Sequence, residues 1–218
     1  MKIGIVGGTG REGRGLGARW AKAGHDVFVG SRQAERGAAK AAELSKELGV
    51  QVRGGDNLAA CEEADIIVVT VPYGAHRDTF DSIKDAVGDK IVVDITVPLK
   101  PPKVRAVSLP EGQAAALEAR ALLPEGARLV AALHHISSEH LGDPNYAFDC
   151  DVLVCGDDKA ARATVISLMP DLGLRGVDAG VLKNAIALES MTPVLLHINR
   201  HYGVVGSGLR ITGISETE

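Results

Sequence analysis

Aromatic side chains are scarce: tryptophan, tyrosine and phenylalanine make up only 3% of the 218 residues. Platforms that stack single-stranded nucleic acid need such rings. The 24 Lys and Arg are outnumbered by 28 Asp and Glu, a net charge of −4, so no basic surface favours phosphate backbones either. A nucleic-acid partner is therefore not expected. Long apolar runs are also missing, and none approaches the roughly 20 residues that cross a bilayer. The chain starts on a strand with no signal peptide before it, and the cytoplasm is the expected compartment. Cysteine is limited to Cys61, Cys150 and Cys155, an odd number with no C-x-x-C pair. Neither a disulfide framework nor a structural zinc site is indicated, and three reduced thiols are expected. No internal repeat or low-complexity linker divides the chain, whose length suits one α/β domain with a small appended lobe.

Glycine, in contrast, is concentrated where it carries information. A short apolar run from Ile3 to Val6 gives way to Gly7, Gly8, Gly10 and Gly13, followed by Leu16, Trp20 and Ala23 at helical spacing. In this strand-turn-helix setting Gly8-x-Gly10-x-x-Gly13 reads as a dinucleotide fingerprint. The first glycine permits the tight turn, the second lets the backbone approach a pyrophosphate, and the third lets the helix pack closely. The phosphates would rest on unpaired amides at the helix N-terminus. Gly24 stops the helix and His25–Val29 reads as the second strand of a βαβ unit. At its end, where an NAD-binding unit carries Asp or Glu for the ribose hydroxyls, this chain has Gly30-Ser31-Arg32, with Arg36 one turn on. A hydroxyl and two guanidinium groups suit a 2′-phosphate, so NADP rather than NAD is expected. The bland alternative makes Ser31 a helix N-cap and the arginines a solvated face.

Farther along, residues 33–48 read as an Ala-rich helix, 50–53 as a short strand, 57–64 as a polar helix, and 65–71 and 90–95 as buried strands. Tyr73 follows the first of these buried strands, either against a bound ring or as a rim aromatic. Pro98, Pro101 and Pro102 stiffen a connection running to about residue 110, a lid or a plain connector. A helix over 111–123, a strand over 128–133, a strand over 150–155 and a helix over 160–169 follow. His134, His135 and His140, with Asp143 and Asp149, offer ligand types but match no metal-site spacing, and no metal is expected. His134, at a strand end, either faces the ligand cleft or is a satisfied structural histidine. A long helix with Pro193 inside it begins near residue 185, and a last short strand is read over 209–211. The fold class is α/β: a Rossmann-type, doubly wound, mostly parallel sheet with a small C-terminal helical extension. Residues 1–155 form the expected NADP-binding domain, and 156–218 an extension that closes the cleft or builds a subunit interface.

Gly7-Gly-Thr-Gly10, Gly30-Ser-Arg32, Thr70-Val-Pro72, Ala132-Leu-His134-x-Ile136, Cys155-Gly-Asp-Asp158 and Glu189-Ser-x-Thr-Pro193 together resemble the F420-dependent NADP oxidoreductases, through almost the whole chain. The resemblance implies reversible hydride transfer between NADPH and the deazaflavin coenzyme F420 in a dimeric enzyme. It places Gly8, Thr9, Gly10, Arg11 and Glu12 around the pyrophosphate and Ser31, Arg32 and Arg36 at the 2′-phosphate. Val71 and Val97 border the nicotinamide, Ser138 approaches NADP again, and His134 and Ile136 approach the deazaflavin ring. No catalytic side chain is expected, because both reacting groups are cofactor rings. The chain departs from the family pattern at Arg11-Glu12, where Asn-Leu is usual, and at His135 and Ser137. Glu12 is expected to turn outward or to pair with Arg11 or Arg14. Two other readings compete: an NADPH-dependent reductase of a flavin, carbonyl or imine, faintly supported by Lys183-Asn184, and a non-catalytic NADPH-sensing module.

Overall fold

In the computed structural model, which describes residues 1–214, the apolar runs pair into one sheet. Its eight strands are β1 (Lys2–Val6), β2 (Asp26–Ser31), β3 (Arg53–Asp56), β4 (Ile66–Val69), β5 (Ile91–Asp94), β6 (Arg128–Ala131), β7 (Asp151–Gly156) and β8 (Arg175–Asp178). The order is β3-β2-β1-β4-β5-β6-β7-β8. Every neighbouring pair is parallel except β6–β7, where Val130 faces Gly156 and Ala131 faces Cys155 in antiparallel register. The strand order reverses between β1 and β4, the switch point at which open α/β sheets bind ligands at their carboxyl ends.

Helices α1 (Arg11–Lys22), α2 (Ala34–Leu48) and α7 (Lys159–Ser167) bring Leu16, Trp20, Leu44 and Val165 to one face, against Ile3, Ile5, Val27, Val68 and Val93. The other face, with Val6, Ile67, Val69 and Val92, is covered by α3 (Asn57–Glu63), α4 (Tyr73–Val87), α5 (Ala115–Leu122) and the start of α8 (Ala185–Tyr202). Successive strand residues point to opposite faces, so a strand buried on both sides must be apolar throughout, which is what Ile66–Val69 and Ile91–Val93 are. Each fully buried large side chain contributes about 1.5–3 kcal/mol. Trp20 also satisfies its indole, donating from Nε1 to the Leu168 carbonyl at 3.3 Å.

Several elements differ from the sequence reading. The third strand is Arg53–Asp56 rather than 50–53, and residues 209–211 form no strand, although Asp151 N donates to the Leu209 carbonyl at 2.7 Å. α4, the short helix α6 (Ser138–Gly142) and β8 are additional. α8 runs unbroken through Pro193. The proline-rich connection after β5 contains neither helix nor strand, and Val107, Ser108 and Leu109 share a small cavity with Glu189, Ser190 and Pro193 of α8. No helix among the described residues is long and apolar enough to cross a membrane.

Candidate functional site

The site is built at the carboxyl edge of β1, β2, β4, β5 and β6. The turn after β1 is fixed by hydrogen bonds from Gly8 N to the Gly30 carbonyl, 2.9 Å, and from Gly10 N to the Gly7 carbonyl, 3.1 Å. A Cβ at Gly13 would stand 2.6 Å from Gly8 Cα and 2.7 Å from Thr70 Oγ1, so only glycine lets α1 start this close to the sheet. At Gly10 a Cβ would meet nothing nearer than the Gly7 carbonyl at 3.5 Å. Protein packing therefore does not demand glycine there, whereas a close-lying ligand would. No side chain caps the first turn of α1, which leaves its amides to an anion.

Glu12 does not pair with its neighbours. Arg11 lies 3.6 Å from Glu139 and Arg14 pairs with Glu43 and Glu47, all at the surface. Glu12 has an open face to solvent, yet the protein around its carboxyl raises its pKa.

At the end of β2, Ser31 is buried and its Oγ accepts weakly from Gln33 N at 3.4 Å. Arg32 and Arg36 are exposed, and neither makes an ion pair among the described residues. The N-terminus of α2 beside them also lacks a side-chain cap. Two unengaged guanidinium groups and an open helix end form a donor set that fits a phosphate monoester.

The opposite wall begins with Val71 and Val97, both half-buried just past β4 and β5. Thr70 Oγ1 donates to the Val6 carbonyl at 2.9 Å, and Thr96 Oγ1 to the Val71 carbonyl at 3.4 Å, tying the two strand ends to β1 and to each other. Tyr73, half-buried at the first turn of α4, donates from its hydroxyl to Glu118 at 2.9 Å. Burial and that carboxylate push its phenol up to about 12.

Past β6, Leu133 takes a positive φ of 65°, a strained conformation for a leucine, and turns the chain inward. His134 follows, 5% exposed, with neither Nδ1 nor Nε2 finding a hydrogen-bond partner. Burial lowers its pKa to about 3, so the ring is neutral. It is not the satisfied structural histidine of the alternative reading. Its backbone carbonyl accepts from Thr192 Oγ1 at 2.8 Å, and His135 Nε2 bonds the Leu188 carbonyl at 2.8 Å, so α8 grips this segment from behind. Ile136 packs into the core with Leu141, and Ser138 opens α6, alongside α1.

A set of buried polar residues backs this wall. Asp94 is fully buried, accepting from Thr96 N at 3.0 Å and lying 2.7 Å from His76 Nε2. Glu189 reaches from α8 to the start of α5 and accepts from Ala115 N and Ala116 N at 2.7 and 3.0 Å. Sequence reasoning passed over His76 and Asp94 and noted Glu189 only within the motif Glu189-Ser-x-Thr-Pro193; the one available signal for Asp94 was an acid closing the apolar run Ile91-Val-Val-Asp94. Burial outweighs the two amide donors at Glu189 and raises its pKa from 4.5 to about 8. The folded state thus keeps a proton that the unfolded chain releases between pH 4.5 and 8. Its stabilising effect is complete below pH 4.5 and declines as pH rises through 8. Glu189→Gln removes this dependence but turns an NH2 toward an amide donor, a cost of about 1–3 kcal/mol. Thermal melts should place the variant several degrees below wild type at pH 5, with the gap narrowing toward pH 8.5.

Among the described residues no group of His, Cys, Asp and Glu is placed to hold a metal. Lys183 is exposed, and Asn184 spends its amide on the Ala179 carbonyl at 2.6 Å. A cavity of about 250 Å³ lies away from the site, on the outer flank of α1. It is smaller than the usual ligand pocket of about 300–1,000 Å³.

Residues 2–98 match the family described as NADP oxidoreductase coenzyme F420-dependent, a span that ends just past Val97. A protein of Methanothermobacter thermautotrophicus named F420-dependent NADP reductase is 39% identical over 226 residues, covering 100% of this chain and 97% of its own. One of the same name from Methanocaldococcus jannaschii is 36% identical, covering 98% of this chain and 99% of its own. The crystal structure of an Arthrobacter sp. FB24 protein shares the fold with a TM-score of 0.83 at 24% identity, covering 98% of this chain and 100% of its own. With such identity sustained from end to end, the chain belongs to the family of F420-dependent NADP reductases.

Proposed function

We propose that the protein transfers a hydride reversibly between NADPH and coenzyme F420. The observation that supports the acceptor half is the buried His134 ring just past β6, with both nitrogens unpaired among the described residues; an orphaned buried polar group is what a ligand's polar edge would satisfy. The relatives' shared name supports the same pair of substrates. The two bound rings supply the redox chemistry. The protein's own residues bind and orient: Gly8, Thr9, Gly10, Arg11 and Glu12 at the pyrophosphate, and Ser31, Arg32 and Arg36 at the 2′-phosphate. Val71 and Val97 border the nicotinamide, Ser138 approaches NADP from α6, and the segment of His134 and Ile136 approaches the acceptor ring. No nucleophile is required, and a neutral His134 serves as a hydrogen-bonding group rather than a general acid.

Mixing the protein with NADPH and purified F420 should bleach the deazaflavin absorbance at enzymatic rates. Turnover of a flavin, carbonyl or imine in place of F420 would sink this reading, as would tight NADPH binding with no turnover at all.

In the proposed division of labour, residues 1–155 hold NADP, and residues 156–218 close the cleft and pair two copies. Pairing is supported by apolar side chains left open along and beyond α8, with Tyr202 72% and Val205 60% exposed. Sedimentation should then give about twice the 22.7 kDa of one chain. A cytoplasmic setting suits the three free cysteines.

A further inference from the structure

Arg11, Gly15 and Arg19 recur every fourth residue, so they form one stripe along α1, the helix whose N-terminus is the phosphate turn. All three bear on α6 or the turn after it. Arg11 meets Glu139 at 3.6 Å. A Cβ at Gly15 would stand 2.8 Å from Leu141 Cβ. Arg19 spreads one guanidinium over five backbone carbonyls: Leu141 from Nε at 3.2 Å, Leu172 from Nη1 at 3.0 Å, and His140, Asp143 and Tyr146 from Nη2. Its plane also lies 4.9 Å from the centre of the Phe148 ring. Apart from the five-residue α6, residues 132–150 have no helix or strand to satisfy their carbonyls, and a planar group with five donors fits that need as no lysine can.

We propose that Arg19 is a positioning residue for the acceptor: from the cofactor helix it holds α6 and the turn to residue 146, and so sets the height of His134–Ser138 over the nicotinamide edge. This rests on the function proposed above. His134 to Ser138 run directly into α6, so a shift of α6 moves them with it. A displacement of about 1 Å in such a segment can cost about 100-fold in rate.

The test uses the full chain and three readouts: NADPH affinity by fluorescence, kcat and KM for F420, and amide exchange of residues 137–146. In Arg19→Ala, kcat/KM for F420 should fall about 100-fold, while NADPH affinity, which has only Ser138 in the loosened segment, should fall no more than about tenfold, the loss of one hydrogen bond. Exchange at 137–146 should quicken while β1 and α1 keep their protection. Millimolar methylguanidinium should restore part of both losses, entering through the neighbouring cavity that Arg19, Leu141 and Pro144 line. Methylammonium and Arg19→Lys should not, because neither presents a planar fan of donors. Gly15→Ala, which pushes on Leu141 with the guanidinium intact, should give the same signature should Arg19→Ala fold poorly. Unchanged exchange at 137–146, a parallel loss of NADPH affinity, or full activity in Arg19→Lys overturns the proposal. Amide exchange and its rescue by methylguanidinium need no F420, so wild-type failure to reduce F420 would strike the functional reading alone.

Discussion

Arg32→Ala/Arg36→Ala binds NADPH about 100-fold more weakly than wild type, while NADH affinity stays within about twofold. The size follows from charge-assisted hydrogen bonds, worth about 1.5–3 kcal/mol each. The two do not add fully, because both serve one phosphate. The selectivity follows from position: both groups stand past β2, beside Ser31 and away from the turn at Gly8–Gly13 that would bind either dinucleotide. Both guanidinium groups are exposed, so the preference for NADPH should shrink as salt is raised. Fluorescence titrations with the two nucleotides at low and high ionic strength measure all of this. Equal losses for NADPH and NADH would remove the 2′-phosphate role from these arginines.

His134→Leu makes the protein more stable and a poorer enzyme. Two buried ring nitrogens without partners cost the folded protein about 1–3 kcal/mol, which an apolar side chain of similar size does not. For a chain of this length, each kcal/mol moves the melting point by about 2–4 °C. The gain should depend on pH in a definite direction. The ring titrates at about 3 when folded and at the ordinary 6.5 when unfolded, so protons favour the unfolded wild type as pH falls from 6.5 toward 3. The slope approaches about 1.4 kcal/mol per pH unit. His134→Leu lacks this term, so its advantage should widen from pH 7 to pH 4. Turnover of F420 should meanwhile fall about 10- to 100-fold, the loss of one strong hydrogen bond, with NADPH affinity unchanged. Melting curves across pH and steady-state assays decide it; a variant that is less stable, or equally active, would return His134 to a packing role.

The proposed dinucleotide side rests on signals that are local in the sequence. Gly8, Gly10 and Gly13 lie within six residues, and Ser31 and Arg32 sit where one βαβ unit must deliver them. The segment assigned to the acceptor is held by contacts with no local mark: Arg19 reaches carbonyls more than 100 residues away, and Glu189 caps a helix 73 residues earlier. A misplaced element shows the same limit. Gly54-Gly55 looks like a turn, yet both lie within β3. A Cβ at Gly54 would stand 2.5 Å from the Gly37 carbonyl, so the glycine serves the flush packing of α2 on the strand. Periodicity cannot reveal that an absent side chain makes room for a helix. The spacing of His76, Phe80, Ile83 and Val87 did carry the signal for α4, since all four are buried on one face of it.

The reach of α8 also sets the order in which the molecule can be completed during synthesis. β1 lies between β2 and β4, so it waits for residues 66–69 before its second edge is paired. Once residue 97 has left the ribosome, β1 to β5 and every residue assigned to NADP except Ser138 exist. His134, by contrast, gains its tie to Thr192 only when α8 has been made. At about 5–20 residues per second, the 95 residues from 97 to 192 take roughly 5–20 s. On the proposed assignment, a nascent chain has made its pyridine-nucleotide residues up to Val97 many seconds before the segment assigned to the acceptor is tied down.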